Sequence, residues 1–205
     1  MISSPRIFAA LREIAYLSVR FRGRLTGAVY LAYFVLAVGA QALVGHVASG
    51  VSTGANVVAT LCYAVLVILL YGLFLPQSPT RSGIAALVGI AGCVVTILAL
   101  FNALPRQVSP LLFFGPYCAI IGYLIVASGF VPRAIGLLLV LAGMGWVAFA
   151  AGLLPAPATK AVEALGILAE AALMIWLLAA GIDMTRWNAL VEVASDDASS
   201  SGEPA

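Results

Sequence analysis

An acid in the middle of a long apolar run is the strongest chemical signal in this chain: Glu170, within Thr159–Gly181. Ionising a carboxylate among hydrocarbon side chains is costly, so such groups face an interior, bind a proton or pair with a partner. Glu163 lies seven residues earlier on the same helical face, about 10 Å away along the axis, and Gly166 between them leaves space on that face. Asn102, near the end of another apolar run, reaches a depth comparable to Glu163, and Tyr117 sits inside a third run. These four, Glu170, Glu163, Asn102 and Tyr117, are the candidates for binding a ligand or a proton. Lys160 and Arg106 would stand at the mouth of a polar path leading to Glu170. Two readings of Glu170 stay open. It either binds a proton, a cation or a polar head group, or it is a protonated acid joining two helices, a contact worth on the order of 0.6 kcal/mol. Asn102 and Arg106 have a plainer reading too, as helix-end capping and interfacial solvation.

Other chemistry finds little support. Catalysis needs a nucleophile beside a base, or a set of metal ligands. The apolar runs contain no His and no Asp, and neither a His-Glu-x-x-His nor a Gly-x-Ser-x-Gly pattern occurs, so no enzyme is expected. Cys62, Cys93 and Cys118 are odd in number and lack Cys-x-x-Cys spacing, which makes them small packing residues rather than metal ligands or a disulfide. His46 is the only histidine, so haem ligation by two imidazoles is ruled out, and no metal or cofactor is expected. The other intramembrane polar groups are Gln41, Asn56, Thr60, Thr96 and Tyr123. Trp146 and Trp176 are expected to pack deep against small residues. Tyr71, Phe74, Phe130 and Trp187 fit an interfacial belt.

The elements that must position these residues are six apolar runs, near 25–44, 53–74, 83–104, 110–127, 132–154 and 159–181. About 20 helical residues cross the roughly 30 Å hydrocarbon layer, and each run is close to that length. A hydrophobic share of 63% with 9% charged residues leaves no soluble domain. Barrel strands would alternate apolar and polar residues, and no such alternation occurs. The fold expected is an all-α integral membrane protein, a compact six-helix bundle with short loops, preceded by a basic amphipathic helix. Residues 1–24 form that basic segment, either lying in the headgroup layer or extending the first span. Residues 182–205 read as a cytoplasmic, largely disordered acidic tail. Eight of the ten Lys and Arg residues (Arg6, Arg12, Arg20, Arg22, Arg24, Arg81, Arg133, Arg186) fall on one side of the runs. Arg106 and Lys160 fall on the other. Such asymmetry puts both termini in the cytoplasm. The lipid bilayer is the partner implied, and the formal charge of +2 gives no reason to expect nucleic acid.

Glycines recur seven apart in Gly115/Gly122, Gly136/Gly143 and Gly145/Gly152, which stacks them on one helix face and permits close backbone approach. Those faces suit an internal interface, a homodimer or a partner membrane protein equally well.

The stretch Phe113-Phe-Gly-Pro-Tyr-Cys-Ala-Ile-Ile-Gly-Tyr-Leu-Ile, followed by Ser128-Gly-Phe-Val-Pro-Arg133, Gly136-Leu-Leu-Leu-Val-Leu-Ala-Gly143 and Ala169-Glu170, carries a family pattern. With Arg24-Leu-Thr-Gly27 and the Leu70-Tyr71…Leu75-Pro76 region, it resembles the bacterial membrane-protein family of domain of unknown function 4386, over about Arg24–Gly181. The resemblance implies a six-span protein of the bacterial inner membrane and no established activity. The family pattern has a His where this chain has Tyr117, and a longer connection before the fourth span. A non-catalytic accessory, sensor or scaffold protein is expected. The alternative is a small transporter or ion- or proton-coupled permease using Glu170.

Overall fold

The structure, a computed structural model, describes residues 5–42, 49–105 and 108–200, with side chains at 19–41, 50–105 and 108–194. It is helical throughout these residues, with no strand among them. The helices are α1 (Pro5–Ala42), α2 (Ser49–Phe74), α3 (Pro79–Leu100), α4 (Leu111–Ser128), α5 (Arg133–Ala150), α6 (Ala156–Ala179) and α7 (Met184–Ser200). The first six are long and apolar enough to cross a membrane, with α1 contributing Val19–Gln41. The chain is a multi-pass membrane protein.

Each helix packs on its neighbours in sequence, and α1 closes against α6, so the six spans form a ring. Short connections dictate this order, because a tight loop leaves the next helix nowhere to go but antiparallel beside the last. One end of the ring carries the α2–α3 and α4–α5 connections and α7. This is the Arg-rich end. The opposite, Arg-poor end carries the other three connections.

Local signals stop and start the helices. Ser78 caps α3, its side chain accepting from Arg81 N at 3.4 Å, and Pro79 occupies the first turn. Gly129, at φ 66°, ends α4 in the left-handed conformation that glycine adopts without penalty. Asp183 accepts from Thr185 N at 3.0 Å and Arg186 N at 3.3 Å, which starts α7. That helix departs from the expectation of a largely unordered segment after Gly181. Composition argued against a packed core there, but capping by Asp183 and docking of Trp187 supply local order. The basic amino-terminal segment and the first span form one continuous 38-residue helix, the extending arrangement of the two that the sequence left open.

Two of the three glycine pairs form an internal interface. Gly115 lies against Gly143 and Gly122 against Gly136, in reciprocal antiparallel register. A Cβ on Gly122 would sit 2.5 Å from Gly136 O, and one on Gly136 would sit 2.6 Å from Gly122 O. Only bare backbone permits that approach, so α4 and α5 are the most intimately packed pair. Gly27 does the same between α1 and α6, where a Cβ would meet Leu178 N at 2.7 Å.

The interior of the Arg-rich half is packed, and its open volume is a groove of about 410 Å³ along α1 and α2 that Trp187 borders. Leu66, Leu70, Leu124, Ile125, Leu173 and Leu177 are all almost completely buried. Phe74 and Phe130 stack at 5.1 Å between ring centroids and are also fully buried. They are therefore core residues rather than the interfacial belt residues expected. Trp187 Nε1 donates to Leu73 O at 3.2 Å, and Arg186 Nη1 to Gly129 O at 2.9 Å, which fastens α7 beneath this plug.

Candidate functional site

The Arg-poor half of the ring is not filled. A cavity of about 440 Å³ lies there, and all six spanning helices contribute to its lining. Its size falls in the range of small-molecule pockets, roughly 300–1,000 Å³. Gln41 and Leu111 stand near its outer end, at the last turn of α1 and the first of α4. Glu170 forms its floor, about 20 Å along α6 from the start at Ala156. Below the floor begins the packed core.

Glu170 is half-buried. The Cys118 thiol donates to Oε1 at 3.8 Å. The lining includes no Lys or Arg. The Arg186–Asp183 ion pair lies at the far end of the molecule. Among the described residues that line the cavity, the carboxyl group therefore has polar company but no counter-charge.

Aromatic rings make up much of the wall. Tyr33 and Tyr63 lie 4.7 Å apart, and Tyr63 meets Phe114 edge-on at 5.2 Å. Phe34 and Trp146 complete the set. Trp146 covers Gly166 so closely that a Cβ there would lie 2.5 Å from the indole, which explains the glycine and bears out the deep packing expected of that tryptophan. Trp176, expected to be similarly deep, is instead 37% exposed. Its helical face turns away from the ring's interior.

The polar part of the wall consists mainly of groups whose donors are already used. Thr60 Oγ1 donates to Asn56 O at 2.8 Å, and Thr96 Oγ1 to Gly92 O at 2.8 Å. Asn56 Nδ2 donates to Ser52 O at 2.9 Å. Each bond is a one-turn return within its own helix. The two threonines have only oxygen lone pairs left, while Asn56 keeps its carbonyl oxygen and one N–H. On the seam between α1 and α6, the lining residues Val38 and Ile167 are mostly exposed on the bundle's outer surface, so this is its thinnest side.

The four sequence candidates separate. Glu170 lines the cavity. Tyr117 is buried one layer behind, its ring over Gly89 and 6.0 Å from Tyr63, and its hydroxyl has no hydrogen-bond partner among the described residues. Glu163 is exposed and outside the lining, since the wall at that level of α6 is made by Gly166 and Ile167. Asn102 is exposed with φ 54°, and Ala103 N bonds back to Leu98 O at 2.9 Å, so it terminates α3 as a left-handed cap. Capping is thus its observed role, and the polar path through Glu163 and Asn102 is replaced by a wall of Gln41, Asn56, Thr60 and Thr96. Arg106 and His46 lie outside the described residues.

Sequence reasoning missed Tyr33, Tyr63 and the contact from Cys118. A signal was present for most of them. Asn56, Thr60 and Tyr63 share one face of α2 at i, i+4, i+7, and Tyr30, Tyr33 and Phe34 share one face of α1. Nothing in the spacing marks Cys118, whose role depends on how α4 meets α6.

Residues 107–181 match the family model for a domain of unknown function, DUF4386. The similarity read from the sequence thus holds over α4, α5 and α6, which supply Cys118, Trp146, Gly166 and Glu170. Neither a curated protein nor a solved structure matches the chain.

Proposed function

We propose that this protein is a non-catalytic sensor or accessory protein of the bacterial inner membrane, with both termini cytoplasmic, that binds a small solute in its intramembrane cavity through Glu170. The observation that carries this reading is the floor itself: an acid at the bottom of a six-helix cavity whose described lining holds no counter-charge, with packed core beneath. An acid serving only to join helices would sit inside the packing, not against 440 Å³ of open volume. The positive charge at the Arg-rich end supports the orientation, so the cavity faces the periplasmic side.

One feature favours a transport reading as the second choice. Pro116 lies inside α4, where it removes a helical hydrogen bond one turn from cavity residues Leu111 and Phe114. Such interruptions mark sites in many carriers. The two readings separate in reconstituted vesicles loaded with a pH-sensitive dye. A binding protein takes up solute stoichiometrically with protein and moves no protons. A carrier accumulates solute or protons over many turnovers, and Glu170→Gln stops it. Sustained, Glu170-dependent flux would overturn the sensor reading in favour of the carrier.

A further inference from the structure

The cavity's polar groups identify the charge of its ligand. We infer that the site takes a protonated organic amine with an aromatic or compact apolar body, the ammonium group on Glu170 and the body against Tyr33, Tyr63, Phe114 and Trp146. This rests on the solute-binding reading above and sharpens it to one chemical class.

Three independent features converge. Among the described residues Glu170 meets the neutral Cys118 thiol and the cavity lining holds no Lys or Arg, so a cation from outside would supply the missing charge. Thr60 and Thr96 have spent their only hydroxyl donors on their own helices, and Asn56 one of its two amide donors, so all three can accept from a ligand. An ammonium group, all donors and no acceptor, is the complement of that set. The aromatic rings add the negative faces that attract a cation lying over them.

Other cations fit poorly. Calcium takes six to eight oxygen ligands and magnesium six in near-ideal octahedral geometry. The described residues include no cluster of three or more His, Cys, Asp or Glu side chains. A bare proton would need neither the volume nor the aromatic wall. An anion would face the Glu170 carboxylate with no Lys or Arg in the lining to offset it. The thin seam between Val38 and Ile167 gives an apolar amine a way in from the bilayer as well as from the open end.

The test uses the full chain in nanodiscs at pH 7 with three probes of similar shape: phenethylamine, 2-phenylethanol and 3-phenylpropionate. Phenethylamine is expected to bind about tenfold or more tighter than the alcohol, as a charge-assisted hydrogen bond requires. The carboxylate should bind weakest. Glu170→Gln should remove the amine's advantage, leave the alcohol's affinity in place and keep the melting temperature. Asn56→Leu and Thr60→Val should each weaken amine binding by about threefold, and they decide the matter should Glu170→Gln not fold. Equal affinity for amine and alcohol, or an amine preference indifferent to all three substitutions, overturns the assignment. If no probe binds while a Thr60→Cys thiol still reacts with maleimide, the amine class is wrong and the solute cavity stands. If that thiol is inert as well, both fall.

Discussion

Leu66 and Glu170 belong to neighbouring levels of one helical ring, yet their surroundings have little in common. Around Leu66, branched aliphatic side chains and the Phe74–Phe130 stack interlock, and α4 meets α5 across the bare backbone of Gly122 and Gly136. Around Glu170, the inward residues are Tyr, Phe, Trp, Thr and Asn, and the helices stand off a cavity. Close packing is concentrated at the Arg-rich half, and the cavity lies at the Arg-poor half. In lipid this division matters more than in water, because helix association depends on close packing rather than on hydrophobic burial.

Forcing the sealed half apart should have the largest effect. Gly122→Val places a Cβ against Gly136 O and Val140 N, both backbone atoms that cannot move aside. A loss of about 3 kcal/mol is expected, read as a lower midpoint in detergent unfolding. Gly39→Ala, where nothing lies within 4 Å, should instead gain about 0.5 kcal/mol from helix propensity. Similar losses at both positions would mean that the α4–α5 contact is not specially tight.

A smaller effect sharpens the border between the halves. Tyr117 buries a hydroxyl with no partner among the described residues, so Tyr117→Phe removes a desolvated polar group without changing the packing over Gly89. Stability should hold or rise by up to about 1 kcal/mol, and solute affinity should not change. A drop in affinity with unchanged folding would move Tyr117 from the supporting layer into the binding site.

Much of this organisation is legible in the sequence. Run length and composition marked six spans, the heptad glycines marked faces fit for close backbone approach without saying what meets them, and the isolation of Glu170 marked it as a candidate site residue. The seven-residue spacing of Glu163 and Glu170 pointed to a shared polar path, but α6 turns Gly166 and Ile167 inward at that level and leaves Glu163 exposed. Asn102 looked like a site residue because asparagine is polar, whereas its place in the fold follows from its tolerance of positive φ. Phe74 and Phe130 lie at helix ends, where aromatic residues usually border the headgroups. Their burial depends on α7 and the α4–α5 connection folding beneath the ring, a tertiary fact that no local pattern records. The same holds for Cys118, which touches Glu170 across 52 positions of sequence.

The most direct test compares thiol reactivity at two depths on one helix face. With Cys62, Cys93 and Cys118 replaced by Ala, single cysteines are introduced at Thr60 and at Leu70, and each folded protein is treated with maleimide in detergent. Thr60→Cys should react rapidly and be protected by a bound solute, while Leu70→Cys should react only once the protein unfolds. Equal rates at the two positions, or a Thr60→Cys thiol as inert as the one at Leu70, would contradict a bundle open above Glu170 and sealed below it.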